Sequence, residues 1–383
     1  MPSYWMLKNL VKDAEERKRV AKNLVHLRKA LAKELPARSA ATSLLLGTWN
    51  IRNFDDNRFG HGPRLAESFF YLAETIAAFD LIAVQELCED LRPFDKLMDI
   101  VGPKYDFILT DITEGPSGNK ERLGFIYNRD KISFRGIAGE IVLPFAKQIS
   151  DVTKERQFAR TPFCCHFQAG WFKFMLATVH IYFGKPTKTA PQYRRRVKEI
   201  EAIAEFLSRR ADKESANYIL VGDFNIEELD GDTFDALAEN GFEVFANKRG
   251  SNAKQNKFYD QISFKEREDE VRLVARESGD SHGVVNLFDI VFRANQFEEY
   301  DGEVQKTLKK NKAKAERAAA RITDPEKLAK KQKAIAELDA LLADATERKE
   351  YYRNEWRTYQ ISDHFPLWVD LQIDFADDYL TKL

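Results

Sequence analysis

At 383 residues with 44% hydrophobic side chains, the chain has ample apolar content for a large core, which excludes fibrous and disordered classes. No apolar run is long enough to span a bilayer, the opening MPSYWMLKNLVKDAEERKRV lacks the apolar block of a secretory signal, and Cys88, Cys164 and Cys165 show no metal-ligand spacing, so a reduced cytoplasmic setting without membrane contact is expected. The formal charge of −1 hides an asymmetry, because residues 1–40 carry +6 and residues 303–353 carry +5, leaving an acidic body at −12.

Residues 5–35 set Leu7, Leu10, Ala14, Ala21, Leu24, Leu31 and Leu35 near a three-four repeat, with Lys and Arg on the other faces, which predicts an amphipathic helix. Its stripe is expected to pack on the body or on a second copy; contact of its basic face with nucleic acid is the alternative. PARSAAT (36–42) reads as a linker, so residues 1–42 form an N-terminal unit. From Ser43 strands and helices alternate. LLLGTWNI (44–51) reads as a strand ending in Asn50, RLAESFFYLAETIAAF (64–79) as a helix, and DLIAVQEL (80–87) as a strand ending in Gln85 and Glu86. YDFILT (105–110), RLGFIYN (122–128), TPFCCHF (161–167) and KFMLATVHI (173–181) are further strands, followed by a helix from Gln192 to Arg210.

YILVGDFN (218–225) is the most chemically suggestive stretch: a buried strand, then Gly222, then Asp223 and Asn225, placed by strand alternation on one side. After it come a helix near 232–239 and strands at FYDQISF (258–264), NLFDIVF (286–292) and ISDHFPLWVDLQI (361–373). Mixed strands separated by helices predict an α/β layered body comprising 43–302 and 354–383. Residues 303–353 break this pattern. One helical stripe runs through Val304, Leu308, Ala315, Ala318 and Ile322, and a second through Leu328, Ile335, Leu338, Leu342, Ala345 and Tyr352, with the helix-start signal TDPE (323–326) between them. An inserted antiparallel helical hairpin is the simplest reading, with its seam offered to a second copy or a protein partner.

Polar residues recur at strand ends: Asn50, Glu86, Glu121, Arg160, His180, Asp223, Asn225, Asp260, Asp363 and His364. Taken singly, Asn50 and Asp260 read as turn residues, Glu86 as a helix-start charge and His180 as a core histidine. The repetition of strand followed by carboxylate, with two of six histidines at such ends, argues for one shared site.

TWNI (48–51), VQE (84–86), KERLGFIYN (120–128), FARTPF (158–163), TVHIYFG (178–184), VGDFN (221–225), FYDQI (258–262) and SDH (362–364) stand in an order that resembles the endonuclease/exonuclease/phosphatase superfamily, the deoxyribonuclease I-like fold. The resemblance spans roughly 44–373 apart from the helical insertion, and it implies a four-layer α/β-sandwich of two packed mixed β-sheets flanked by helices. By the same resemblance Glu86, with Asn50 and Asp363, is similar to a Mg²⁺ site, at which Mn²⁺ could substitute. His180 and His364 look like the histidines flanking the scissile phosphate, oriented by Glu121 and Asp260 respectively. Asp289, in NLFDIVF, competes with Asp260 for that second role. Asp223 resembles the residue that orients or deprotonates the attacking water, and Arg160 and Asn225 those that hold the phosphate oxygens.

The expected activity is Mg²⁺-dependent hydrolysis of a phosphodiester, with DNA as the substrate. The alternatives are a phosphoesterase of the same fold acting on a lipid headgroup or small ester, and an inactive scaffold, against which the intact set of acids and histidines speaks. Arg194, Arg195 and Arg196 offer local positive charge against the acidic body, or else the solvated start of a helix.

Overall fold

The computed structural model describes residues 1–114, 118–144, 149, 157–267, 270–274 and 280–383. Its described strands, in chain order, are β1 (Ser43–Phe54), β2 (Leu81–Leu87), β3 (Tyr105–Leu109), β4 (Arg122–Asn128), β5 (Ile132–Glu140), β6 (Phe163–Ala169), β7 (Phe172–His180), β8 (Asn217–Asp223), β9 (Glu243–Val244), β10 (Asp260–Lys265), β11 (His282–Val284) and β12 (Leu367–Gln372). They form two six-stranded mixed sheets, ordered β11-β12-β1-β2-β4-β3 and β5-β6-β7-β8-β10-β9.

Side-chain alternation explains why two sheets form. Along β1, Leu44 and Leu46 face the opposite sheet while Leu45, Trp49 and Ile51 face outward, and all are buried. In β8, Ile219 and Val221 face inward while Tyr218 and Leu220 face outward; the adjacent cysteines of β6 divide likewise, Cys165 inward and Cys164 outward, both unpaired. Strands apolar on both faces need cover on both, and outer helices supply it. Over the first sheet lie α2 (Ala14–Glu34), α3 (Ala66–Ile76) and α4 (Arg92–Val101); over the second lie α5 (Pro191–Glu214) and α6 (Asp232–Ala238).

The N-terminal segment is broken rather than one helix over 5–35. A short α1 (Leu7–Leu10) ends before Val11, and α2 restarts where the Asp13 side chain accepts the Glu16 N–H at 2.8 Å. Val20, Leu24, Leu27 and Leu31 of α2 are buried against the body.

Beyond β11 the helices are α7 (Phe297–Ala319), α8 (Pro325–Ala343), α9 (Ala345–Tyr351), a π-helical turn at Tyr352–Trp356, α10 (Arg357–Gln360) and a terminal α11 (Ala376–Thr381). NLFDIVF, expected as a strand, instead opens with a 3₁₀ turn at Leu287–Asp289, because the Asn286 side chain accepts the Phe288 N–H at 3.0 Å and satisfies the backbone locally. The helical segment extends past 303–353 in both directions. Tyr300, Val304, Leu308, Tyr352 and Trp356 belong to the outer core of the first sheet, so the base of the helical pair is built into the body while the described α8 has no buried residue. Leu338 and Leu342 of the expected seam, with Leu341, are partly buried against that same core.

Candidate active site

β1 and β2 run parallel, and so do β7 and β8, so the four C-terminal ends bring side chains to one rim of the sandwich. Asn50 pairs in register with Gln85, and His180 with Asp223; Asp260, the first residue of β10, also pairs with Asp223. Glu86 leaves the ladder with φ 61°, where the β1–β2 register shifts, and this turns its carboxylate inward. Gly222 is required where it stands: φ is +131°, and a Cβ there would come within 2.2 Å of the Val179 carbonyl oxygen.

Asp223 is central. Its Oδ2 accepts from Asn50 Nδ2 at 2.9 Å and lies 3.6 Å from His180 Nε2 and 3.9 Å from His364 Nε2. The two imidazoles therefore approach one carboxylate through their outer nitrogens. Behind His364, Nδ1 lies 2.7 Å from Asp260 Oδ2. Burial alone would push the His364 imidazole down, but Asp260 and Asp223 outweigh it and hold the ring's pKa well above the ordinary value. Behind His180, Nδ1 lies 3.1 Å from Glu121 Oε2 without a well-aligned hydrogen bond, while Arg160 Nε donates to the same oxygen at 2.6 Å. Burial would raise the Glu121 carboxyl; His180 and Arg160 override it and hold the pKa down to about 2. Asp289, the competing candidate, accepts from Asn286 at 2.9 Å.

Asn225 reaches the rim by a different route from the strand alternation expected. β8 ends at Asp223, and Asn225 sits in the left-handed region at φ 55°. Its N–H donates to Asp223 Oδ1 at 2.9 Å and its Nδ2 to the Ile181 carbonyl at 2.8 Å. Asp363 is less enclosed: its carboxylate faces Arg52 at 3.6 Å.

The oxygen donors at Glu86 fit a hard divalent cation. Asn50 is fully buried, its Nδ2 is shared between Glu86 Oε1 and Asp223 Oδ2, and its Oδ1 has no hydrogen-bond partner. Glu86 Oε2 accepts the Asn53 N–H at 2.7 Å. Among the described residues, two groups bring metal-capable atoms within 4.8 Å of one another, Glu86 with His180 and Asp223, and Asp223 with Asp260 and His364. Asp363 is in neither.

Several supports escaped the sequence reading. The Ser362 hydroxyl donates to the Asn50 carbonyl at 2.7 Å and accepts the His364 N–H at 3.0 Å; Trp49 Nε1 donates to the His364 carbonyl at 2.9 Å; Ser251 Oγ accepts the Asp260 N–H at 3.0 Å. Ser362 and Trp49 stand inside the quoted SDH and TWNI, so their position was legible and their role was not. Arg195 and Arg196 supply no surface charge. Both are buried, and only Arg194 of the three is exposed. The Arg195–Glu199 spacing of i, i+4 was the available sign of a pair, and Nε to Oε1 is 2.8 Å.

Two packed mixed sheets flanked by helices, with acids and imidazoles gathered on one rim, define the phosphoesterase and nuclease class built on the deoxyribonuclease I-like fold. The chain belongs to the Endonuclease/Exonuclease/phosphatase family, whose profile it matches over residues 47–273. An endonuclease/exonuclease/phosphatase family protein from Bacteroides thetaiotaomicron superposes with TM-score 0.50 at 16% identity, covering 87% of this chain and 98% of that one. The mannosyl-6-phosphatase Bt3783 of the same organism gives 0.47 at 18% identity, covering 63% and 90%. A humanized D. rerio TDP2 gives 0.45 at 12% identity, covering 87% and 99%. No curated protein sequence matches the chain convincingly. Among the described residues no helix is long and apolar enough to cross a membrane.

Proposed function

We propose that the protein is a divalent-cation-dependent phosphodiester hydrolase acting on DNA. The observation that carries the chemistry is the convergence of His180 and His364, each backed by its own buried carboxylate, on Asp223. The KER, FARTP and YDQI stretches favour a nucleic-acid substrate, as the deoxyribonuclease I-like resemblance implies.

In this reading Asp223 orients the attacking water and takes its proton as the new P–O bond forms. The P–O bond to the leaving alkoxide breaks on the opposite side, and an imidazolium flanking the phosphate gives that oxygen its proton. Arg160, held by Glu121, and the second amide hydrogen of Asn225 stabilise the non-bridging oxygens as charge builds. Glu86 and Asn50, with Asp363 at the edge, would hold Mg²⁺ or Mn²⁺, which when bound supplies charge neutralisation at the phosphate.

A second reading, a phosphoesterase acting on a small ester, is favoured by one observation: Arg195 and Arg196 are buried, which leaves only Arg194 of that basic run in solvent to meet a long polyanion. A panel of plasmid, linear duplex, single strands, RNA, a chromogenic phosphodiester and a sugar monophosphate, each with Mg²⁺ and with chelator, tests the proposal. Mg²⁺-dependent DNA cleavage abolished in Asp223→Asn is the expected result. Hydrolysis of the sugar monophosphate alone would favour the second reading.

A further inference from the structure

Arg196 is a fully buried guanidinium on α5, outside the constellation just described. Its Nε donates to the Phe183 carbonyl at 3.0 Å; Nη2 donates to Phe183 O and, at 3.3 Å, to Lys185 O. Nη1 donates to the Asn225 carbonyl at 2.9 Å and to Glu227 Oε1 at 3.2 Å. Lys257 Nζ closes the far side of Glu227 at 2.9 Å. One side chain thus bridges the segment after β7, the segment after β8 and, through Glu227, the segment entering β10. These segments follow His180, contain Asn225 and precede Asp260.

Such convergence answers a local difficulty. Asn225 must hold a left-handed backbone, a conformation that is uncommon outside glycine even though asparagine tolerates it better than most. Its own contacts are an N–H to Asp223 and an amide to Ile181 O. They orient the amide only while the turn stays closed, and the Asn225 carbonyl is held from below by Arg196. A planar guanidinium suits this task because its donors are fixed in a fork, so carbonyls on two different loops are held at a set spacing.

We propose that Arg196 is a positioning residue: through the Asn225 carbonyl and the Phe183–Lys185 turn it sets the phosphate-holding amide relative to His180 and Asp223. The inference rests on the functional reading above. Arg196→Gln is expected to lower kcat on a chromogenic phosphodiester 10- to 100-fold with KM within about threefold, as loss of an orienting partner does, and Arg196→Lys to recover part of it. Combined with Asn225→Ala, Arg196→Gln should add less than its own single effect, since both act through one amide. Wild-type kcat in folded Arg196→Gln, or full multiplicativity with Asn225→Ala, overturns the inference. Should Arg196→Gln fail to fold, Glu227→Gln, on the half-exposed side of the clamp, is expected to show a several-fold kcat loss that is likewise not multiplicative, and wild-type kcat there overturns it. Asp223→Asn separates the two claims. Full turnover in that variant overturns the reading of the site and this inference with it, whereas an inactive Asp223→Asn beside a fully active Arg196→Gln overturns the inference alone.

Discussion

Glu86 illustrates how one residue's conformation sets its chemistry. Its left-handed backbone takes it out of the β1–β2 ladder and aims both oxygens at Asn50 and the Asn53 N–H, leaving an oxygen-rich corner suited to a hard cation. Glu86→Gln is therefore expected to keep the fold and to lower Mg²⁺-dependent turnover on the order of 10²-fold or more, with a raised Mg²⁺ requirement in a titration. Turnover near wild type at low Mg²⁺ would remove Glu86 from the proposed cation site. Distance favours Asp260 in the second carboxylate question: Asp260 is 2.7 Å from His364 Nδ1, whereas Asp289 contacts Asn286. Asp260→Asn should thus cost on the order of 10²-fold in kcat and Asp289→Asn less than about threefold, read on the same phosphodiester. The reverse order would mean that Asp260 has no part in orienting the imidazole.

At the scale of elements, the α7–α8 pair divides into an anchored base and an exposed tip. Arg348 ties the base together, donating to both oxygens of Asp301 at 2.7 and 3.1 Å and to the Leu341 and Leu342 carbonyls near the end of α8. Val304 and Leu308 are fully buried in the core shared with Trp356. Leu308→Ala should accordingly cost about 2–5 kcal/mol in urea unfolding. Replacing residues 315–334 by a short Gly/Ser linker should leave cooperative unfolding and small-substrate turnover within about threefold of wild type, because no proposed site residue lies there. Loss of the unfolding transition in that shortened protein would place the tip inside the cooperative unit.

Across the whole molecule, Glu67 joins three parts distant in sequence. Arg19 of α2 donates to its Oε1 at 2.6 Å; Tyr71 of α3 and Tyr300 of α7 donate to its Oε2 at 2.8 and 3.0 Å. The N-terminal helix is thus tied to the body by a buried ion pair as well as by its apolar face. Burial raises the Glu67 pKa and Arg19 opposes the rise, so Arg19→Met leaves a buried carboxylate without its cation and should cost about 3–5 kcal/mol near neutral pH. The sign with pH follows from the direction of the shift. A carboxyl whose folded pKa is raised binds its proton more tightly in the folded state, so its contribution is favourable at acid pH and is lost as pH rises through the folded value. The stability gap between wild type and Arg19→Met should therefore narrow as pH falls from 7 toward 5 in urea titrations. A gap that widens would mean that Glu67 is not the group left uncompensated.

By itself the sequence determined the alternation of strands and helices, the family, and the residues that stand at the strand ends, because alternation and motif order are local properties. Asn50, Glu86, His180, Asp223 and Asp260 were all visible as polar residues ending or opening apolar strands. What only the tertiary structure decided depends on partners far along the chain. The parallel pairing of β7 with β8 puts His180 beside Asp223; a turn with positive φ, rather than strand alternation, carries Asn225 to the rim; and an asparagine's local hydrogen bond turns NLFDIVF away from the sheet. The arginines of α5 show the limit most clearly. Arg194, Arg195 and Arg196 are chemically alike in sequence, and the helix's packing against the second sheet leaves one in solvent and buries two, giving Arg196 the loop carbonyls whose unsatisfied oxygens would otherwise be costly.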